Sequence, residues 1–538
     1  MRITTITLEN FKGIREPVSV QLKPITLLFG PNSAGKSSIF QALHYLRELL
    51  ERNNTDADRS IAADESFDLG GFRNLVHNHD LARRIRLKAA IDLAGEELPT
   101  YQQRSITRTD AELPGRFDSD LTEWDINQHV DIASVSVELE IAWSSQLGKP
   151  YIASYATGFN GTPFASVVSS EDGKRVRIAE LNLSHPALAA AEYGRLDADS
   201  WNFLEEIYHN VVSETIVGSG SDLNLYIEAS SVLPNWGEAL RLAPLCLVPP
   251  PEDGPYNSLV GELEGYLSQL IVGPGELLLK LLRGSRYIGP IRKTPPRNYT
   301  SLRSVDETRW SSGLAAWDLL YRSPKSFVEQ VSSWLSREDR LNSGYSLRMY
   351  RYKKLDMDGP LYRALVSASL LEEEDIALNI SHLPEEQQLI LFDEKRQLEV
   401  LPQDIGIGIS QMLPVAVGAL DKATSVLLVE QPELHVHPGL QVNIGDLFIH
   451  QIQDETKLFI VETHSEHLLL RLLRRIRETS EDELPPEAAP LQPEQLSVNY
   501  IEPSEEGLKI RQLLVSPDGD SLGAWPKGFF EERAGELL

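Results

Sequence analysis

The chain has 538 residues, of which 51 are lysine or arginine and 79 are aspartate or glutamate, so its net charge at neutral pH is −28. That sign excludes a protein whose whole surface binds DNA and leaves only local basic patches for nucleic acid. No apolar run approaches the length of a membrane helix and the first residues lack an export signal, so we expect a cytoplasmic protein without membrane contact. The single cysteine, Cys246, lies in an apolar stretch, which excludes an intrachain disulfide and indicates a buried thiol.

The first forty residues predict a phosphate-binding loop. Alternating apolar and polar residues predict a hairpin, and the apolar run Ile25–Phe29 predicts a buried strand. The next nine residues, GPNSAGKSS, fit the pattern GxxxxGK[ST] (Walker A), and a helix is expected from Ser37 to about Arg52. Backbone N–H groups of such a loop point at an anion, so this unit predicts a nucleoside triphosphate site. The candidate nucleotide ligands are Asn32, Ser33, Gly35, Lys36, Ser37 and Ser38.

Two loop residues have specific expected roles. Lys36 is expected to reach the β- and γ-phosphates of ATP, and Ser37 is expected to ligate Mg²⁺. The stretch Leu8–Ile14, followed by this loop, resembles the opening of the ABC-type ATPases of the SMC, RecF and OLD group. The resemblance covers about residues 1–90 and 284–538. It implies an α/β fold, a P-loop NTPase of ABC-ATPase type with a mixed sheet, an antiparallel β subdomain and a large α/β insertion.

Four regions are expected along the chain. Residues 1–94 form the amino-terminal part of the ATPase head, 95–283 an insertion domain, 284–477 the carboxy-terminal part of the head, and 478–538 a linker with a short carboxy-terminal domain. The insertion carries no recognisable motif. Alternation predicts a strand at 135–141, helices are expected near 187–212 and 257–283, and prolines predict loops over 222–255. Sustained heptads are absent, which excludes the long coiled coil of an SMC protein.

Basic residues form three clusters, and each leaves two interpretations open. The first cluster, between Arg283 and Arg297, either contacts phosphates or forms a solvated loop, and neither interpretation is favoured. The second is interleaved with Tyr345, Tyr350 and Tyr352, a mixture that can grip single-stranded nucleic acid, although an exposed antiparallel strand is favoured. For the third, a solvated helix face is favoured over a DNA-facing one. The clusters are Arg283, Arg286, Arg292, Lys293 and Arg297; Arg340, Arg348, Arg351, Lys353 and Lys354; and Arg471, Arg474, Arg475 and Arg477.

Residues 404–414 lie where the resembled ATPases carry their signature motif, here in a degenerate form. That motif presents a serine and glycine amides at a helix start, where they donate hydrogen bonds to a γ-phosphate held by the other subunit. Gly408 and Ser410 are the candidates for this contact. They imply a head-to-tail homodimer closed through its ATP sites.

The run Val426–Glu430 is an apolar strand that ends in an acid, which resembles the Walker B strand. The resemblance places Glu430 at the Mg²⁺-organising aspartate position and Gln431 at the position of the catalytic glutamate. A neutral amide is a poor general base for the attacking water, although it can orient that water. Nucleotide binding and dimerisation are therefore expected more firmly than rapid turnover, and Glu433 is an alternative base.

A second buried strand is expected from Lys457 and ends in His464, which matches the switch histidine that contacts the γ-phosphate in the resembled ATPases. His435 and His437 alternate with Glu433, but this spacing is below the usual pattern of a transition-metal site. The candidate catalytic residues are thus Glu430, Gln431, Glu433 and His464, and the candidate Mg²⁺ ligands are Ser37 and Glu430.

The residues after His464 are acidic and rich in proline from 478 to 494, which predicts a mobile linker. Two strands and a tail follow, and the tail resembles a short uncharacterised carboxy-terminal domain found in related single-chain ATPases. The OLD nucleases carry a TOPRIM domain here, and this segment is too short for one.

The resemblance implies an ATP-driven sensor or scaffold in bacterial anti-phage systems such as Septu and PARIS, working with a separate nuclease or toxin. A RecF-like repair ATPase with DNA-stimulated hydrolysis is the first alternative. An ATP-gated structural assembly that barely hydrolyses ATP is the second. Oligomers larger than the dimer are left open.

Overall fold

The computed structural model describes residues 1–32, 34–58, 67–101, 126–188, 204–205, 207–209, 211, 225–229, 231–243, 255–297, 299, 306–366, 380–454, 456–504 and 507–520. Predictions for Ser33, for Cys246, for most of 187–212 and for the tail at 523–530 lie outside these residues. No helix in the described part is long and apolar enough to cross a membrane.

The described residues form seventeen strands and ten α-helices. The strands are β1 (Arg2–Glu9), β2 (Val18–Gln21), β3 (Ile25–Phe29), β4 (Ile85–Asp92), β5 (Ser134–Ser144), β6 (Lys149–Phe159), β7 (Thr162–Ser169), β8 (Val176–Leu181), β9 (Leu225–Tyr226), β10 (Ser285–Ile288), β11 (Tyr345–Lys353), β12 (Glu385–Asp393), β13 (Leu398–Val400), β14 (Val426–Glu430), β15 (Leu458–Glu462), β16 (Leu496–Ser504) and β17 (Gly507–Leu513). The helices are α1 (Ser37–Arg52), α2 (Gly71–Leu75), α3 (Ile126–His129), α4 (Pro255–Arg283), α5 (Leu314–Arg322), α6 (Lys325–Ser336), α7 (Pro360–Val366), α8 (Ile407–Leu420), α9 (Pro438–Gln451) and α10 (Glu466–Ser480).

A six-stranded sheet with the order β10-β14-β15-β3-β16-β17 forms the centre of the head. The first five strands are parallel and β17 is antiparallel, so the sheet is mixed, as the predicted fold class requires. Parallel strands that are covered on both faces have nearly continuous apolar sequences, which explains β14 and β15 up to their final glutamates and β3 apart from Thr26. Successive side chains point to opposite faces. Thus Leu28 joins the core that contains α1 and α4, whereas Leu27 and Phe29 join the core that contains α8 and α9.

An eight-stranded antiparallel sheet with the order β2-β1-β4-β5-β6-β7-β8-β9 packs against the first of these cores. Strand β5, from the predicted insertion, pairs along the whole of β4, from Ile85 opposite Ile141 to Asp92 opposite Ser134. The expected border between residues 94 and 95 therefore falls between two paired strands. The insertion extends the amino-terminal antiparallel sheet, because the free edge of β4 supplies its first pairing partner.

The carboxy-terminal strands differ from the expected separate short domain. Strand β16 pairs in parallel with β3, from Leu496 opposite Ile25 to Tyr500 opposite Phe29. The segment before it is not an unattached linker, since α10 continues to Ser480 and Leu491 is fully buried. The acidic, proline-rich composition of this segment predicted a mobile linker and gave no indication that Leu491 is buried. Strands β16 and β17 therefore complete the central sheet.

We expect Ile501→Ala to destabilise the whole head, because Ile501 is 1 % exposed and lies on the strand that borders β3. Removing a buried isoleucine side chain costs about 2–5 kcal/mol of unfolding free energy. Denaturant unfolding of the full chain measures the effect, with the less buried Ile510→Ala on edge strand β17 as the control. A separate carboxy-terminal unit would instead give a two-step curve in which only the smaller step moves.

Candidate nucleotide site

The phosphate-binding loop after β3 and Glu430 after β14 lie at the carboxyl-terminal edge of the central sheet, where its parallel strands end. Strands β14, β15 and β3 are adjacent and parallel, so their carboxyl ends meet there. Glu430 at the end of β14 is in register with Glu462 at the end of β15, and Glu462 is in register with Leu28. Ligands of open α/β sheets bind at this edge. The edge therefore collects the loop after β3 and two carboxylates.

Two glycines shape the loop. Gly30 has φ of +148° and Gly35 has φ of +84°, conformations that side chains rarely adopt. A Cβ atom on Gly30 would meet the carbonyl oxygen of Ile501, and one on Gly35 would lie 2.5 Å from Cδ1 of Leu508. Strands β16 and β17 thus form the outer wall of the loop. Asn32 is exposed on the loop, whereas Ser38 is buried in the first turn of α1.

Gly35→Ala is expected to weaken ATP binding by about 10- to 100-fold, because a positive φ and the Leu508 contact together cost about 1–3 kcal/mol. Gly148→Ala is the matched control, since Gly148 also has a positive φ, of +62°, but has nothing within 4 Å of an added Cβ. Titration with a fluorescent ATP analogue compares the two variants at equal folded fraction. Equal affinities for both would contradict the role assigned to the Gly35 conformation.

Lys36 and Ser37 both contact Glu462. Lys36 Nζ donates to the carbonyl oxygens of Gly30 at 3.1 Å and Pro31 at 3.0 Å, and lies 3.5 Å from Glu462 Oε1. Ser37 Oγ donates to Glu462 Oε2 at 3.1 Å. Glu462 is not among the site residues predicted from the sequence. Its signal was available, because β15 is an apolar strand ending in an acid, as β14 is.

Glu430 lies beside Glu462, the hydroxyl of Tyr287 and the hydroxyl of Ser37. Burial, followed by the negative charge of Glu462, raises the pKa of Glu430 to about 7. Two carboxylates and a serine hydroxyl are hard oxygen donors, and a nearby cation would offset the repulsion between the acids. The residues present therefore fit a magnesium ion.

The residues after Glu430 connect the ends of β14 and β15. Gln431 has φ of +45° and its N–H donates to the carbonyl oxygen of Glu462 at 2.7 Å. Glu433 accepts hydrogen bonds from Thr463 Oγ1 at 2.8 Å and from the N–H of His464 at 2.7 Å. Both oxygens of Glu433 thus position the loop after β15. The alternative role as a base would require that carboxylate to exchange these partners.

His464 lies at the surface directly after β15. Partial burial of its ring, followed by the positive charge of Lys36, lowers its pKa, which favours the neutral imidazole. The other two histidines have different settings. His437 Nδ1 accepts from the N–H of Gly439 and caps α9, and His435 is exposed. No group of three or more His, Cys, Asp or Glu side chains that could hold a metal ion occurs in the described ranges.

The Ser410 side chain at the start of α8 does not point outwards, as a contact with the phosphate of a second subunit would require. Helix α8 begins after Gly406, with Gly408 in its first turn against the carbonyl oxygen of His435. Ser410 is 3 % exposed and its hydroxyl donates to the carbonyl oxygen of Ile407 at 2.8 Å. The serine one turn into the helix therefore faces its own backbone. The exposed side chain at this helix start is that of Ile407, which is 56 % accessible.

Arg292 is a structural link that sequence reasoning grouped with the phosphate candidates. The residue is 2 % exposed, and its guanidinium donates to the carbonyl oxygens of Glu430 at 2.5 Å and Gln411 at 3.3 Å. Burial lowers its pKa to about 10, which still leaves it charged at neutral pH. Gln411 completes the link, because its amide donates to the Arg292 carbonyl oxygen at 2.6 Å. The end of β14 is thereby tied to α8.

Most other arginines and lysines of the three basic clusters form ion pairs with nearby acids. Across β11 and its neighbours these pairs match the favoured exposed antiparallel strand. On α10, Arg474 and Arg477 are exposed as the favoured solvated face requires, but Arg471 and Arg475 are largely buried because both pair with Asp446, so for these two that prediction is wrong. The pairs are Arg283–Glu51, Arg286–Glu307, Arg297–Asp404, Arg348–Glu399, Arg351–Glu385, Lys354–Glu386, Arg471–Asp446, Arg474–Glu478 and Arg475–Asp446.

Two family models match the segments that build this edge. Residues 1–105 match the family described as "AAA ATPase domain". Residues 285–471 match the family described as "AAA domain, putative AbiEii toxin, Type IV TA system". Both halves of the head are thus similar to AAA-type ATPase segments. ATPase domains of this type bind a nucleotide, usually with Mg²⁺.

Similar solved structures include three SMC heads, each 10 % identical to the chain. The SmcHead bound to the C-winged helix domain of ScpA has a TM-score of 0.39 and covers 96 % of this chain and 98 % of its own. The Pyrococcus furiosus Smc head with an extended coiled coil, bound to the C-terminal domain of ScpA, has a TM-score of 0.36, with 99 % and 98 % covered. The Thermotoga maritima SMC head also has 0.36, with 96 % and 100 % covered. The comparison with curated proteins found no match.

Proposed function

We propose that this chain is an ATP-binding, ABC-type ATPase that works as a nucleotide-gated sensor or scaffold. The observation that carries the proposal is the convergence of Lys36, Ser37, Glu430 and His464 at the carboxyl ends of three adjacent strands. Lys36 binds the β- and γ-phosphates, the loop amides wrap them, and Ser37 and Glu430 hold Mg²⁺. Gln431 orients the attacking water without removing its proton, so turnover is slow.

The same proposal includes a head-to-tail homodimer in which the start of α8 of one copy meets the phosphates bound by the other. Its support is the exposed helix amino terminus at Gly406, whose free amides favour an anion. The apolar side chain of Ile407 beside it is suited to a protein face. Gly408 contributes a backbone amide. Ser410 joins only if the first turn of α8 opens, because its hydroxyl bonds the Ile407 carbonyl oxygen.

Ile407→Asp is expected to abolish ATP-dependent dimerisation, because the added carboxylate would meet the partner-bound phosphates. Leu398→Asp is the matched control, since Leu398 is also 56 % exposed but lies on β13. Sedimentation of the full chain with Mg-ATP, Mg-ADP or no nucleotide gives the mass. The proposal expects a dimer with ATP for the wild type and the control only. A wild type that stays monomeric with ATP, or an Ile407→Asp variant that still dimerises, contradicts it.

A role in bacterial anti-phage defence is part of the proposal. The name of the second matching family refers to a toxin of a type IV TA system, which agrees with that setting. In this role the ATP-bound dimer holds a separate effector, a nuclease or toxin, and releases it when the dimer opens. Co-purification from the source cell with ATP and with ADP tests the gate. An effector that binds equally in both nucleotide states would contradict it.

The RecF-like alternative makes the opposite kinetic prediction. DNA that stimulates hydrolysis must reach a basic face, and its effect falls steeply with salt. In the described ranges, ion pairs with acids occupy many of the basic residues considered for this role. We therefore expect ATP turnover to change less than about twofold on addition of duplex or single-stranded DNA. A large, salt-sensitive stimulation would favour the repair function.

A further inference from the structure

Glu462 is an acid of the site to which no matched motif gives a role. It ends β15, the strand between β14 and β3, and its side chain is 9 % exposed. One carboxylate oxygen accepts the Ser37 hydroxyl at 3.1 Å and the other lies 3.5 Å from Lys36 Nζ. A single buried carboxylate thus contacts both side chains that the proposed function assigns to the phosphates and the cation.

The neighbouring polar residues Glu433 and Gln431 are less suited to bind a cation. Both oxygens of Glu433 accept hydrogen bonds from the loop after β15. Gln431 carries no charge. Glu430 and Glu462 remain, in register at the ends of neighbouring strands, and the hydroxyl of Ser37 contacts both carboxylates. Mg²⁺ in nucleotide sites is bound by one or two carboxylates together with substrate phosphates.

We propose that Glu462 is the second carboxylate of the divalent-cation site and that it makes ATP binding depend on the cation. This inference rests on the proposed function. Without a cation, the carboxylate of Glu462 repels the triphosphate, and so does that of Glu430 whenever it is ionised. With Mg²⁺ between them and the phosphates, the same two charges become attractive. Removing the charge of Glu462 should therefore improve binding of free ATP and weaken the benefit of Mg²⁺.

The test is isothermal titration of the full chain with ATP, once in EDTA and once in excess Mg²⁺. In Glu462→Gln we expect the gain in affinity from Mg²⁺ to fall by about 10- to 100-fold relative to wild type, with tighter binding in EDTA. Glu481→Gln, which removes an equal charge at the end of α10, should keep the wild-type ratio. Mn²⁺ paramagnetic resonance in the presence of ATP should show a matching loss of cation affinity only in Glu462→Gln.

Two results would overturn the inference. One is an unchanged Mg²⁺/EDTA affinity ratio in Glu462→Gln, and the other is an equal loss in both buffers, which indicates that Glu462 only supports the loop. If Glu462→Gln does not fold, Glu462→Asp decides, because it keeps the charge but withdraws it from Ser37. Its Mg²⁺ gain must then fall without tighter binding in EDTA, and an unchanged gain rejects the inference. A wild type that binds no ATP in either buffer defeats the proposed function itself.

Discussion

Lys36→Met is expected to lower ATP affinity by roughly 100-fold or more, the largest binding effect in the chain. The Lys36 side chain is 4 % exposed, and its ammonium contacts Glu462 and two backbone carbonyl oxygens of the loop, so it can turn to phosphates without breaking contacts to other helices. Each hydrogen bond to a charged group is worth about 1.5–3 kcal/mol, and two phosphates share this donor. Isothermal titration of the folded variant with Mg-ATP measures the loss.

Lys457→Met is the matched control for that measurement. Lys457 is also buried, at 5 % exposure, and donates to the carbonyl oxygen of Ala419, but it precedes β15 at the opposite edge of the sheet. Its loss should reduce thermal stability and leave the ATP affinity of the folded protein unchanged. If Lys36→Met binds ATP as well as Lys457→Met does, the phosphate site is not at this loop.

Gln431→Glu is expected to raise the ATP turnover number by about 100-fold, because a carboxylate can accept the proton of the attacking water and an amide cannot. The N–H of Gln431 is already fixed to the carbonyl oxygen of Glu462, so the backbone needs no change. The new charge lies near Glu430 and Glu462, and the assay therefore requires saturating Mg²⁺. Steady-state phosphate release measures the rate, and the affinity for ATP should change little.

Gln431→Ala separates the gain of a base from the loss of an amide. It should turn over ATP no faster than the wild type, since it adds no proton acceptor. A rise in both variants would mean that the amide inhibits the site. A wild-type enzyme that already turns over many ATP molecules per second, with no gain from Gln431→Glu, would contradict the account of a slow gate.

The local features of the fold could be predicted from the sequence. The hairpin, the buried strand Ile25–Phe29 and the helix after it follow from alternation and spacing, and the structure has all three. The helix expected at 257–283 is α4, and the strand expected from Tyr345 is β11. The fold class is confirmed, with a mixed sheet and an antiparallel one. These features depend on residues that are close in the chain.

Pairing between distant strands could not be predicted in the same way. The composition of β5 does not indicate that it pairs with β4, and that of β16 does not indicate that it pairs with β3. The insertion and the carboxy-terminal domain were therefore expected to be separate from the head. The acid and proline content before β16 also concealed the buried Leu491.

At the site, the order of motifs in the resembled ATPases pointed to Glu430 and His464, and the structure brings both to the carboxyl-terminal edge of the central sheet. The order of motifs did not indicate Glu462, because no motif assigns an acid to that position. The orientation of Ser410 required the helix register, in which its hydroxyl meets the Ile407 carbonyl oxygen one turn earlier. The catalytic and binding roles of the motif residues stay predictions, and the experiments above test them individually.

The most direct test is an experimental structure of the full chain with Mg²⁺ and a non-hydrolysable ATP analogue. The account predicts the triphosphate in the loop between Gly30 and Ser37, with Lys36 on its β- and γ-phosphates and the cation beside Ser37 and Glu430. A triphosphate bound elsewhere on the chain, or a loop that stays closed on Lys36 at saturating analogue, would contradict it.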